Sequence, residues 1–327
     1  LSAHCGMAPR KQAVRSCIGP FPPRLSVLRK PPTVSVNQAK GRMGFLEPAL
    51  SLVQGKVLLI DSILTSSLAL FLYFAPDVVG DFLFRKKTDG VHWHLIRCVG
   101  GQLLATAFVN HRLRNSSAIA RSVCFLIRIV SGIITLMLIY QCQSQTPMLI
   151  EPQTLEYARV ASFGIAGVYL VLLICNGWPI GDKFFAENRL GNFLYQLDCL
   201  ASICIGLAWL TFPQWLLHKQ VNVTMDESHE FFGRLMGAYF VSTFCISQHA
   251  LHWPSEKDRK VVVESRAVCC AAILIAQLWS QKAYHDDWTG NHWVGIMLFS
   301  IWTFLACMYT IIAYVPGSKA LRAKKSN

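Results

Sequence analysis

A chain of 327 residues with 53% hydrophobic and only 15% charged residues, and a mean hydropathy of +0.38, is too apolar for a soluble domain, where roughly 25% of residues are charged. The formal charge of +13 does not signal nucleic acid, because eight of the 31 Lys and Arg residues fall in residues 1–42, which hold no Asp or Glu. No basic patch with interleaved aromatics follows, so nucleic acid is set aside and the lipid bilayer is the expected partner.

Residues 1–50 read as a disordered, basic, Pro-rich segment with no apolar stretch long enough for a signal-peptide core. Three readings of residues 1–42 stay open: a cytosolic tail, a leader upstream of a start at Met43, and a mitochondrial presequence. Met43-Gly44 does not make a myristoylation site, since Pro48 stands where Ser or Thr is needed. Apolar runs then predict helices over 57–76, 93–110, 122–141, 157–177, 191–212, 230–249, 263–282 and 292–314. Each approaches the ~20 residues that hydrocarbon demands, and period-2 alternation is missing, which argues against a β-barrel. The fold class is therefore an all-α membrane protein of about eight transmembrane helices. The second and sixth are the least apolar; an Arg and several small residues in each suit the inside of a bundle.

Lys and Arg set the orientation. The N-terminus with alternate loops carries thirteen basic residues from Lys56 onward, against five on the other side: Arg85, Lys86, Lys87, Lys219 and Lys282. Both termini are expected to be cytosolic, with the Arg85-Lys86-Lys87 run as the exception. On this map Asn222-Val223-Thr224 is a lumenal glycosylation candidate, and Asn115-Ser116-Ser117 is cytosolic and stays bare. Twelve cysteines, mostly within apolar runs, read as small buried hydrophobes rather than a disulfide framework.

The chain also matches itself without gaps at an offset of 137: Asp61 with Asp198, Pro76 with Pro213, His92 with His229, Arg97 with Arg234 and Gly100 with Gly237. Farther on, Ala120-Arg121-Ser122-Val123-Cys124 matches Ser265-Arg266-Ala267-Val268-Cys269 at an offset of 145, which predicts a longer sixth-to-seventh connection. Two parallel four-helix repeats, 51–180 and 181–316, followed by a cytosolic basic tail at 317–327, account for this pattern. Copies of four helices each face the same way, as in parallel-repeat transporters. Each unit, with Arg97-x-x-Gly100 or Arg234-x-x-Gly237 behind a Pro-terminated helix, resembles the DoxX-like superfamily of four-helix membrane proteins. The resemblance implies a tandem duplication of that unit. It leaves function open among redox subunits, chaperones and cargo receptors of the endoplasmic reticulum.

Charges within spans are costly in lipid and pair or face inward. Asp61, Arg97, Arg128, Asp198 and Arg234 are the candidates for a substrate or ion pathway, with Arg128 the expected partner of Asp61. His92 and His229 are candidates for partner binding. A metal is not expected, because His92 and His94 at i and i+2 share no helical face; the other histidines read as anchors beside Trp93, Trp288 and Trp293. No Ser–His–Asp or Cys–His spacing supports catalysis, and no cofactor is called for. Lys324-Lys325 near the C-terminus resembles a dilysine retrieval signal of endoplasmic-reticulum membrane proteins. The leading expectation is an early-secretory assembly factor or cargo receptor for membrane or secreted proteins. The alternative is a small-solute or lipid transporter with its site between the repeats.

Overall fold

The computed structural model describes residues 46–179, 181 and 189–314, and side chains from 48 to 311. Lys324, Lys325 and residues 1–45 lie outside the described residues. The chain runs α1 (Leu46–Phe74), α2 (Pro76–Leu83), α3 (Gly90–Leu113), α4 (Ala118–Gln145), α5 (Pro152–Cys175), α6 (Arg189–Thr211), α7 (Pro213–Leu217), α8 (Glu227–Ala250), α9 (Glu256–Ala283) and α10 (His292–Tyr314). A single 3-10 turn at His285–Asp287 precedes α10, and the only extended pairings among the described residues are the isolated bridges Phe84–Ile150 and Val221–Trp288.

Local chemistry sets the boundaries. Proline opens α2, α5 and α7, a position where its missing N–H is no loss. Ser117 and Ser255 cap α4 and α9 by accepting from the N–H groups of Ala120 and Asp258. Most of the long helices start earlier than their apolar runs, α1 and α9 by the widest margins. α1 begins at Leu46, within the stretch expected to be disordered, and continues through polar Gln54, whose buried amide donates to the Leu172 carbonyl at 3.3 Å. α9 begins at Glu256 rather than 263 because Ser255 caps it and acidic residues suit its first turn.

Six helices, α1, α4, α5, α6, α9 and α10, are long and apolar enough to cross a membrane by length and composition. Their outer faces leave large apolar side chains uncovered, among them Leu64, Phe163, Leu298 and Phe304. Apolar surface on that scale calls for lipid rather than water, so the molecule is consistent with an integral membrane protein.

Packing places the remaining long helices inside. α1 lies on α3 and α6 on α8, while α4 holds α5 and α9 holds α10. Across the middle α4 packs on α8, α9 on α3, and α3 on α8. The most apolar window of α5 or α10 is only 11% buried, against 56% for α4. α5 and α10 are therefore peripheral, whereas α3 and α8 are buried along much of their length and pack on each other and on α1, α4, α6 and α9. The ten described cysteines are free, and Cys175, Cys204 and Cys307 are exposed on outer faces.

Candidate functional site

α3 and α8 begin with the same device. Asp89 accepts from the N–H groups of Val91 (3.0 Å) and His92 (3.1 Å), and its own N–H donates to His92 Nδ1 at 3.3 Å. Asp226 accepts from Ser228 (3.0 Å) and His229 (3.4 Å), and its N–H donates to His229 Nδ1 at 3.3 Å. These are capping boxes in which histidine replaces the usual Glu or Gln. The two boxes meet face to face. The imidazole rings lie 3.7 Å apart at 35°, His229 Nε2 reaches Asp89 Oδ2 at 3.1 Å and His92 Nε2 reaches Ser228 Oγ at 2.6 Å. Ser228 Oγ donates in turn to Asp226. The result is a closed ring of hydrogen bonds, with both histidines 2% exposed, that clasps one half of the chain to the other.

Electrostatics follow from this geometry. Burial raises the pKa of Asp89, but hydrogen bonds from His229 and His92 and their nearby charge outweigh it and hold the carboxyl well below its ordinary range. Burial also works against Asp226, yet the Ser228 hydroxyl and His229 bring it down to about 2. Asp287, which accepts from the Gly90 N–H at 3.1 Å, is raised by burial and by the charge of Asp89. A carboxylate with a lowered folded-state pKa stabilises the fold above its unfolded value of 3.8 and loses that contribution as pH falls through the folded value. Asp226→Asn should therefore flatten the acid limb between about pH 4 and pH 2 in melting curves taken in detergent micelles. Parallel acid limbs for variant and wild type would remove the cap from this account.

Donor atoms of Asp89, His92 and His229 lie within 4.8 Å of one another, close enough to hold a metal ion. The positive ends of two helices point at the same spot and oppose a cation there, and the hydrogen-bond ring already uses these donors. His94 lies on the same helix as His92 but turns to another neighbourhood, edge-on to Trp288 at 5.0 Å, with His292 stacked on Trp288 at 3.8 Å. His94 and His292 are buried, and so are not interfacial anchors.

The Arg85-Lys86-Lys87 run meets acids at this end: Arg85 pairs with Glu151 at 2.6 Å and Lys86 with Asp226 at 3.4 Å. Asn222 is exposed, but its amide donates to the carbonyls of Asp286 and Trp288, so a glycan would have to free it first.

The membrane-depth charges form two separate pairs. Arg128 Nη2 lies 2.6 Å from Asp61 Oδ1, with Thr65 Oγ1 at 3.1 Å and the Asn110 amide donating to Asp61 Oδ2 at 2.6 Å. Arg266 Nε lies 2.7 Å from Asp198 Oδ1, with Ser202 Oγ at 2.8 Å, and the Ser247 hydroxyl donates to Asp198. An aromatic ring faces each guanidinium, Tyr169 at 6.0 Å and Trp302 at 5.2 Å. Arg121, bonded to Ser51, corresponds to Arg259, bonded to Asn192. Arg128 thus answers to Arg266 at an offset of 138. The connection expected to be longer from the match at 145 is longer by one residue: the α8–α9 link has five residues and the α3–α4 link four.

Arg97 and Arg234 take no part in these pairs. Arg97 donates to the Tyr73 carbonyl at 3.2 Å and reaches the Tyr284 hydroxyl at 3.3 Å; Arg234 pairs with Glu230 at 2.7 Å. A cavity of about 370 Å3 abuts Asp198 and Arg266, and neither Asp61, Arg97, Arg128 nor Arg234 lines it. Sequence reading missed Asp89, Asp226, Ser228 and Arg266 as partners. The first two were within reach, since they stand at the same offset of 137 as the histidines.

A family model described as a domain of unknown function (DUF8292) matches residues 59–311, and the chain belongs to that family. No curated protein and no solved structure matches it.

Proposed function

For this member of the DUF8292 family we propose a multi-pass membrane protein of the early secretory pathway that captures other membrane or secreted proteins, as an assembly factor or cargo receptor. In this reading all eight long helices cross the bilayer as two like-facing, DoxX-like quartets with both termini cytosolic. α3 and α8 tolerate their polar residues because the other six screen them from lipid. The end where α3 and α8 begin is then lumenal.

The observation that carries the reading is the separate closure of the membrane-depth charges. A transporter with its site between the halves needs Asp61, Arg97, Arg128, Asp198 and Arg234 around one space. Instead each Asp–Arg pair sits within its own half, and the junction is packed, with Gly101 against Ala272. Binding is further supported at the lumenal rim. There a groove of about 250 Å3 between the end of α4 and the start of α8 offers Gln141, Gln145, Glu230 and Arg234 around Phe231.

The test places a photocrosslinking residue at Gln145 and compares adducts formed in cells. Neutralising both pairs together, Asp61→Asn with Arg128→Gln and Asp198→Asn with Arg266→Gln, should leave the adducts in place. Arg234→Glu should reduce them by about tenfold. Adducts that vanish with the neutralised pairs in a folded protein, yet survive Arg234→Glu, would return the reading to transport.

A further inference from the structure

We infer that the second half holds a binding site for a neutral amphiphile, a lipid-soluble molecule with a long apolar body and one uncharged hydrogen-bonding head such as a hydroxyl. The site is distinct from the rim groove and stands independently of the partner-binding reading.

The cavity of about 370 Å3 lies between α6, α9 and α10, within the size range of small-molecule pockets. Its walls are almost wholly apolar in surface, with the rings of Tyr195, Trp302 and Tyr309 among them, and its charged floor is Asp198 and Arg266 beside Ser247. Wall residues Leu197, Leu298, Ile301 and Leu305 are also exposed on the outer faces of α6 and α10. The opening is therefore sideways, toward the surface that lipid covers, rather than toward either end of the bundle. An apolar space of this kind does not hold water well, and what enters it comes from the bilayer.

The floor selects the head. Asp198 and Arg266 neutralise each other through the 2.7 Å contact, so a charged head would bring an uncompensated charge into an apolar space. A hydroxyl brings none. It can donate to the carboxylate, which has about four acceptor positions, while three donors from the protein, Arg266 Nε, Arg266 Nη2 and Ser247 Oγ, already approach Asp198. The first half differs where it matters. Asn110 stands at the position of Ser247 and its larger amide bonds to Asp61, with Tyr169 buried against Arg128.

The full chain in phosphatidylcholine nanodiscs is exposed to a hexadecanol analogue carrying a diazirine and an alkyne, and in parallel to the matching hexadecanoic acid and hexadecylamine analogues. The alcohol should label peptides of α6 and α10 saturably, yield to excess unlabelled hexadecanol, and label more strongly than the acid or the amine. Ala306→Trp, which fills the cavity from α10, should lower labelling by about tenfold, provided its melting curve and elution match the wild type. Labelling that does not saturate, is equal for all three heads, or is untouched by Ala306→Trp in a folded protein would overturn the proposal and report only ordinary bilayer contact. If Ala306→Trp does not fold, competition and head preference on the wild type decide the question alone.

Discussion

Replacing Arg128 by methionine is expected to destabilise the folded protein by about 3–5 kcal/mol, the range for removing one member of a buried ion pair. The double replacement Asp61→Asn with Arg128→Met should cost distinctly less. Both side chains are almost fully buried and 2.6 Å apart. Removing the guanidinium alone leaves a mostly buried carboxylate without its counter-charge, on a helix apolar and long enough to cross a membrane, where a lone charge is costly. Asparagine at position 61 keeps an acceptor for the Asn110 amide, which now donates to Asp61 Oδ2 at 2.6 Å, so the double variant leaves no charge and few unmet donors. The same ordering is expected for Arg266→Met and for Asp198→Asn with Arg266→Met, since Ser247 and Ser202 play the roles of Asn110 and Thr65. Thermal unfolding in detergent micelles reads the difference. Equal losses in the single and double variants would mean that the pairs add nothing beyond the packing of their stems.

That Asp61 turns to Arg128 is legible in the sequence, because both lie a similar distance in from the same end of their helices. Six of the long helices are legible as well, since their apolar runs are of hydrocarbon length; α3 and α8 are long helices but not apolar enough to count among them. What escaped were features whose signal is short or depends on tertiary approach. α2 and α7 are single pieces of eight and five residues opened by Pro76 and Pro213, too brief to show a period. The histidine clasp escaped for a different reason. In sequence the near neighbour of His92 is His94, whereas its neighbour in space is His229, 137 positions away. In α4 and α9 an Arg recurs two turns apart, at Arg121 and Arg128 and again at Arg259 and Arg266; the small neighbours of Arg121 and Arg266 draw those two together in sequence, whereas the guanidinium contacts liken Arg128 to Arg266.

The Arg-x-x-Gly step gains a physical meaning from the space around its glycine, and the four glycines that follow should give opposite results when changed to alanine. A Cβ at Gly237 would come within 2.6 Å of the Leu210 N and 2.7 Å of the Gly206 O; at Gly100 it would come within 2.9 Å of the Ala69 O and 3.2 Å of the Tyr73 N. These obstacles are backbone atoms of α6 and α1, which cannot rotate aside as a side chain can. The helices must part instead. Within a membrane, helix association rests on such close approach rather than on expulsion of water, and overpacking costs about 1–3 kcal/mol. Gly237→Ala should be the more damaging of the two, because both of its contacts are shorter. Gly164 and Gly167, on the outer face of α5, have nothing within 4 Å of an added Cβ. Alanine there should stabilise by about 0.5–1 kcal/mol through helix propensity alone. Melting temperatures of the four variants in one detergent test the ordering. A harmless Gly237→Ala would mean that α6 and α8 are not in close backbone contact, and the reason given for the repeated glycine would be lost.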